Sequence, residues 1–443
     1  MSIVTQVTEL LQGLLEESMD ALARETGCVK RERKFSGSTL LSTIVLTVMR
    51  NPKPKPENYQ TTAAQLGVIV TENAIAPRFT PDLVKFLEAT LQQVLNRVLV
   101  SKAPSIELLE RFAEVVIGDS STITLPDEYA ELFPGCGGSH GSGKAALKIQ
   151  VLWNLRHGRL QMLLEPGRAS DAKSPITELP LPAGSLSIFD LGYFSLERFE
   201  RVERAEGYWL SRLQPGTTVR EAAGDYVALG KFLAANAKRG LVDVPVQLGE
   251  KRLPCRLVAV HVSPEIAARR RQKIRKNARD HGRPEPSQEY LALQEWTIFV
   301  TNCAPTLLTW KEVVVLYRAR WQIERLFKLW KSYNRLAERN PEAPAAQQLA
   351  EVYAKLIAVI VQHGILLMTV WLDGRRSLWR AAKSLREWIG ELIGAIDDAR
   401  RLRRVLDRQR ESLAKSAQVN SRRKHPSCFQ LLNNPELLEY IVA

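Results

Sequence analysis

Apolar residues recur at three- and four-residue steps through the first hundred positions, the period of helices that bury one face. That spacing predicts a helix over residues 8–26, stopped by Gly27, and a second over 38–50. The proline-rich run NPKPKPE then breaks regular structure. After it, TTAAQLGVIVTENAIAPRF has the outline of a helix-turn-helix: a cap at Thr61 or Thr62, Gly67 at the turn and a second helix near 71–76. That reading puts the second helix in a major groove, and an ordinary helical hairpin shares the outline. Helix resumes over 89–100.

At Glu114 the period changes to that of strands. AEVVIGDSSTITL is a β-branched run, 147–155 alternates, RLQMLLEP follows a turn at His157 and Gly158, and SLSIFDLGY ends a fourth strand near Asp190. FSLERFERVERAEG reads as a helix and YWLSRL as a fifth strand. Three strands in hairpin succession, then strand, helix and strand, outline a mixed α/β sheet of the ribonuclease-H-like kind. Residues 215–302 form a β-rich insertion, with strands expected at 242–248, 254–262 and 296–301. Within it RRRQKIRKNARDHGR carries eight Lys and Arg against one acid, an excess that points to phosphate contact over a merely solvated face. Helices are expected over 345–372 and 378–413, before a basic tail, NSRRKHP.

Residues 317–331, YRARWQIERLFKLWK, form an uninterrupted helical pattern. At 100° per residue, Tyr317, Arg320, Glu324 and Lys331 fall within an arc of about 60°, spread over about 21 Å of axis. Ile323, Phe327 and Trp330 take the neighbouring arc. One stripe can enter a core while the next presents a hydroxyl, a guanidinium, a carboxylate and an ammonium, although most such helices are simply amphipathic with a charged flank.

Composition narrows the partners. The 443 residues suffice for two or three domains, and a net charge of +14 with a pI near 9.6 favours a polyanion. Cys28, Cys136, Cys255, Cys303 and Cys428 form no CxxC pair, so neither a zinc site nor a disulfide framework is expected. Residues 1–9 lack a basic region followed by an apolar run, so no leader is expected. Residues 356–372 contain Gln362, His363 and Gly364, which suit a buried helix better than a membrane span. The expectation is a cytoplasmic protein without membrane contact.

Asp is depleted in strands, yet Asp119 follows VVIG and Asp190 follows SIF. A cap or turn role explains most single cases. With Glu324, the two aspartates supply the oxygen-only donors that hard cations require. Two Mg2+ ions held there would activate a water and stabilise the entering and leaving oxygens at a phosphodiester. GSHGSGKA from Gly138 matches Walker spacing until Ala145, where the Mg2+-binding hydroxyl should stand, and a loop between two strands is the better reading. The dispersed histidines, with no GxSxG and no HExxH, offer little to nucleophile or zinc schemes.

Tyr317, two residues, Arg320, three residues, Glu324, six residues, Lys331 resembles the Y-R-E-K signature of the insertion sequence four family of DDE transposases, to which the transposon-five enzyme is related. GDSSTITLP at Asp119, DLGYF at Asp190 and FPGCGGSHGSGKAALKIQ also resemble segments of that family. The resemblance implies that Asp119, Asp190 and Glu324 form a metal-binding catalytic triad, with Mg2+ as cofactor and Mn2+ as substitute. It implies that Tyr317, Arg320 and Lys331 contact DNA phosphates, and that Trp296 stacks on a displaced nucleotide, a buried strand aromatic being the alternative. Leu191 departs from relatives with arginine there.

The expected domains are a helical N-terminal DNA-binding domain over 1–112, a ribonuclease-H-like core over 113–214 and 303–340, the insertion over 215–302, and a helical C-terminal region over 341–443. The expected function is cut-and-paste transposition on double-stranded DNA, by a homodimer in the synaptic complex, in the bacterial cytoplasm and associated with the nucleoid. An inactive DNA-binding regulator, or a metal-dependent nuclease without strand transfer, shares many of these features.

Overall fold

The computed structural model describes residues 2–31, 33–97, 99–102, 105–137, 143–223, 225–369, 375–419 and 426–438. The loop expected at 138–142 and most of the basic tail lie outside these residues. Nine strands occur among them: β1 Val115–Leu125, β2 Ala145–Asn154, β3 Leu160–Pro166, β4 Leu186–Phe189, β5 Tyr208–Arg212, β6 Val219–Glu221, β7 Leu241–Leu248, β8 Leu253–His261 and β9 Trp296–Thr301. The fold is mixed α/β, and it divides into two compact units. One comprises Met1–Pro104, Ser120–Ala169 and Glu324–Asn420; the other comprises Ser105–Asp119, Ser170–Ile323 and Ser421–Ala443.

The first unit is built on the helix Ala345–Leu367, buried from Gln348 almost without interruption. It is apolar and long enough to cross a membrane, but 94% of its apolar window is buried inside the protein, as in a core helix. The helices Ile3–Gly13, Gly37–Arg50 and Pro81–Asn96 pack on it. Gly364 permits the close approach, because a Cβ there would stand 2.8 Å from Leu99 Cδ1 and 3.5 Å from Val7 Cγ2. N-terminal and C-terminal helices thus share one interior. In the same unit β2 pairs antiparallel with β3, from Leu147 opposite Pro166 to Trp153 opposite Leu160.

Two N-terminal expectations need correction. Residues 8–26 are not one helix but the end of Ile3–Gly13 and all of Glu17–Glu25. The Leu14 carbonyl between them accepts the Ser42 hydroxyl at 3.1 Å instead of continuing the ladder. The second helix of the expected helix-turn-helix is absent. Pro56–Gln65 ends before Gly67, whose φ is +81°, and two short 3₁₀ turns follow, Glu72–Ala74 and Ala76–Arg78. Pro77 lacks an N–H and disfavours helix at Ala76, so the chain becomes α-helical again only at Pro81–Asn96, capped by Thr80.

His363 is buried and its Nε2 donates to the Gly158 carbonyl at 2.7 Å, which fixes a neutral tautomer. Burial pushes its pKa down to about 4. A folded pKa below the unfolded value means that stability is present above about pH 6.5 and is lost as pH falls toward 4. The loss should reach roughly 3 kcal/mol. Thermal melts of His363→Gln, which keeps a donor, should be flatter than wild type across that window; parallel pH curves would refute the assignment.

In the second unit β1, β4 and β5 run parallel, and β5 pairs antiparallel with β9. From β9 the ladder continues antiparallel through β8, β7 and β6. The β-rich stretch at 215–302 therefore extends the same sheet, sharing a core of Phe199, Trp209, Leu248, Leu257, Trp296 and Val300. Most of its basic run lies on a long helix, Pro264–Asp280.

Candidate active site

The register of β1 and β4 makes the site. Val115 lies opposite Leu186 and Gly118 opposite Phe189, so the next residues, Asp119 and Asp190, emerge side by side from neighbouring parallel strands. Neighbouring strands run about 4.8 Å apart. β1 continues past Asp119 to Leu125, but burial gives way at Asp119: residues 115–118 are buried and Asp119 is half-buried. Asp190 stands at the N-cap position of the 3₁₀ turn Leu191–Tyr193, yet its side chain makes no cap hydrogen bond. A capping role leaves that carboxylate unexplained.

Arg320 explains it. Its Nη1 lies 3.3 Å from Asp119 Oδ2 and its Nη2 lies 3.4 Å from Asp190 Oδ1. The Arg320 side chain is 6% exposed, against 18% for Asp119 and 44% for Asp190. A charge so buried must be paired, and one guanidinium here offsets the repulsion of two adjacent carboxylates. Capping at Thr309 starts the helix that delivers it: Thr309 and Glu312 form a capping box, and Glu312 pairs with Arg111 at 3.0 Å.

The regular helix expected through 317–331 is interrupted twice. Trp310–Ala319 ends, Arg320 acts as its C-cap, and Trp321–Lys328 begins. A π-helical turn, Leu329–Tyr333, then adds a residue per turn, with Asn334 N donating to Leu329 O at 3.1 Å. The uniform 100° step that placed four side chains on one arc therefore does not hold across the stretch. Lys331, in that turn, donates from Nζ to Thr122 O at 2.9 Å, and burial lowers its pKa. Glu324 is half-buried on Trp321–Lys328. Glu324 and Lys331 belong to the first unit; Asp119, Asp190, Arg320, Tyr317 and Trp296 belong to the second.

Tyr317 is 7% exposed, its ring 5.2 Å from that of Phe299 and beneath the Arg320 guanidinium at 5.7 Å. Burial pushes its hydroxyl up to about 12. Trp296 is 3% exposed, meets His261 edge-on at 5.0 Å and sits in the core of the unit. Both rings are packed inside in this structure.

Arg198 was not singled out by any sequence pattern. Its neighbours Arg201 and Arg204 are exposed and pair with Glu178 and Glu200, whereas Arg198 is 3% exposed, with its guanidinium over the Phe189 ring at 4.1 Å. Burial lowers its pKa to about 9. It braces the residue that immediately precedes Asp190. Helical spacing alone cannot separate one inward arginine from two outward ones.

Chemically, Asp119 and Asp190 fit a hard divalent cation: their donors are oxygen only, both are partly accessible, and they already share one cationic group. Among the described residues no three His, Cys, Asp or Glu side chains stand together as a metal cluster.

The family model for the transposase DDE domain matches residues 110–357, more than half of the chain. Among similar proteins, the transposase for insertion sequence element IS231F of Bacillus thuringiensis subsp. israelensis is 28% identical over 418 residues, covering 88% of this chain and 85% of the relative. The IS231B transposase of Bacillus thuringiensis subsp. berliner is 26% identical, covering 96% and 94%. The IS1151 transposase of Clostridium perfringens is 25% identical over 66% of each chain. With one aspartate on β1, another just past the end of its paired strand β4, and that match around them, the chain belongs to the DDE transposases of insertion sequences, metal-dependent enzymes that act on DNA.

Proposed function

We propose that this transposase uses Asp119, Asp190 and Glu324 to hold Mg2+, with Mn2+ as substitute, and cuts at the inverted-repeat ends of its own element before joining them to target DNA. The single observation that carries the reading is the Asp119–Arg320–Asp190 arrangement at the register-matched positions of β1 and β4. Strand order supports a ribonuclease-H-like core: β3 next to β2 in one unit, β1, β4 and β5 parallel in the other. A divalent cation on these carboxylates supplies a more acidic water and charge stabilisation at the phosphodiester. Arg320 keeps the two aspartates aligned and is available to a phosphate oxygen once they are neutralised. Lys331 fixes its amine on Thr122 of β1 and adds positive charge beside that strand. Tyr317 supports Arg320 through its ring. The roles implied by resemblance, phosphate contact by Tyr317 and stacking by Trp296, require both rings to leave the packing described above.

The enzyme works as a homodimer on paired ends, in the cytoplasm with the chromosome. Purified protein incubated with duplexes carrying the sequences that flank its gene should nick at the element boundary in Mg2+ or Mn2+ and give no product with EDTA. Metal-independent cutting would refute the triad, and cutting without strand transfer would favour the nuclease reading.

A further inference from the structure

The helix Pro264–Asp280 sorts its cations into two sets. The inward set anchors it. Arg270 donates from Nη1 to the Trp296 carbonyl at 3.0 Å and from Nη2 to Thr297 Oγ1 at 2.9 Å, and Arg271 pairs with Glu295 at 2.9 Å. Buried Ala267 and Ala278 let the helix lie close to its support. The outward set is different. Arg269, Lys273, Lys276 and Arg279 are all exposed, and among the described residues none has a carboxylate within 4.0 Å, although Glu265 one turn before Arg269 feels its charge; their neighbour Arg275 is paired with Glu285.

Helical geometry puts Arg269, Lys273 and Lys276 within an arc of about 60°, with Arg279 about 60° further round and the whole row about 15 Å long. Like charges at these steps weaken a helix by a few tenths of a kcal/mol each. The arginine anchors hold it in spite of that, so the row is presented on a rigid support. Duplex DNA places a phosphate every 3.4 Å or so along each strand, and a row of about 15 Å faces roughly four of them. The exposed face also carries Gln272 and Asn277, polar groups that do not suit an amphipathic helix lying in a lipid interface.

We infer that the outward face of Pro264–Asp280 is a DNA phosphate-backbone clamp, in which Arg269, Lys273, Lys276 and Arg279 grip the duplex independently of its sequence. The inference rests on the transposase reading and adds a surface remote in sequence from the acidic residues.

The test compares wild type with Arg269→Gln/Lys273→Gln/Lys276→Gln/Arg279→Gln, and with a charge-keeping control in which Arg269 and Arg279 become Lys. Affinity is measured against salt for one duplex bearing the element end and one of unrelated sequence, with phosphatidylserine vesicles as a further probe. Each lost contact lowers the slope of log K against log salt by about 0.9, so the quadruple variant should lose between three and four units on both duplexes, roughly 10³-fold in affinity at 0.1 M salt. The control should keep the wild-type slope. All four residues are exposed, so circular dichroism melts should be unchanged. An unchanged slope in the quadruple variant overturns the clamp while leaving the transposase reading intact. Wild type that binds vesicles but neither duplex overturns both, and a defect confined to the end-bearing duplex overturns sequence-independent grip.

Discussion

Asp190→Asn should reduce metal-dependent cleavage by at least about 10³-fold while leaving DNA affinity within a few-fold of wild type, since removing one preorganised charge stabiliser commonly costs that much. Asp119→Asn should lose as much activity, but it is the less clean experiment. Asp119 is the more buried partner of a guanidinium that is itself 6% exposed, so its replacement leaves Arg320 poorly compensated and should also cost about 1–3 kcal/mol of stability. Asp190 is 44% exposed, and water can replace much of what it gives Arg320. Cleavage assays alongside thermal melts separate the two effects. Either variant cutting at the wild-type rate would remove that aspartate from the proposed triad.

Asp243→Ala should destabilise the second unit by about 3 kcal/mol or more, the largest stability effect expected from one substitution here. Arg256 pairs with Asp243 through two contacts of 2.6 Å, Nε to Oδ1 and Nη2 to Oδ2, and its side chain is 7% exposed. Its Nη1 also donates to the carbonyls of Leu308 at 2.6 Å and Cys303 at 3.5 Å. Without Asp243 a buried guanidinium remains with carbonyls alone. Leu308 directly precedes Thr309, the cap of the helix that ends at Arg320, so the same network sets where that helix begins. Melting temperature should fall, and cleavage should fall with it even under conditions where the variant stays folded. Replacing both partners, Asp243→Leu with Arg256→Met, should recover much of the stability, because the pair then leaves no stranded charge. A single variant as stable as wild type would show that the pair contributes nothing.

Much of the catalytic region is legible in local pattern. The five strands from 115 to 212 and the helix before the fifth were expected within a few residues of where they lie, because alternation and β-branched runs are local signals that burial of one or both faces enforces. The N-terminal region was less legible. A buried serine took the Leu14 carbonyl out of an otherwise continuous helix, and Pro77 held a helix-like segment in 3₁₀ turns. The stretch 317–331 shows the same limit within the site itself. Its apolar stripe was right, with Ile323, Phe327 and Trp330 all buried, but an even step of 100° could not foresee a break at Arg320 or a π turn at Leu329–Tyr333.

What the sequence determined by itself was chemistry and order: an acidic residue after each of two apolar runs, a guanidinium and carboxylate at fixed spacing, and a charge of +14 that favours a polyanion. Tertiary structure decided which groups meet. Only the parallel register of β1 with β4 makes Asp119 and Asp190 neighbours across 71 positions of chain, and only burial turns Arg320 from one more cation into the bridge between them. Burial likewise drew Tyr317, Trp296 and Arg198 inward and left Arg269, Lys273, Lys276 and Arg279 in water. The physical reason is that residue type fixes what a side chain can do, whereas long-range pairing and desolvation, which no local window contains, fix what it faces.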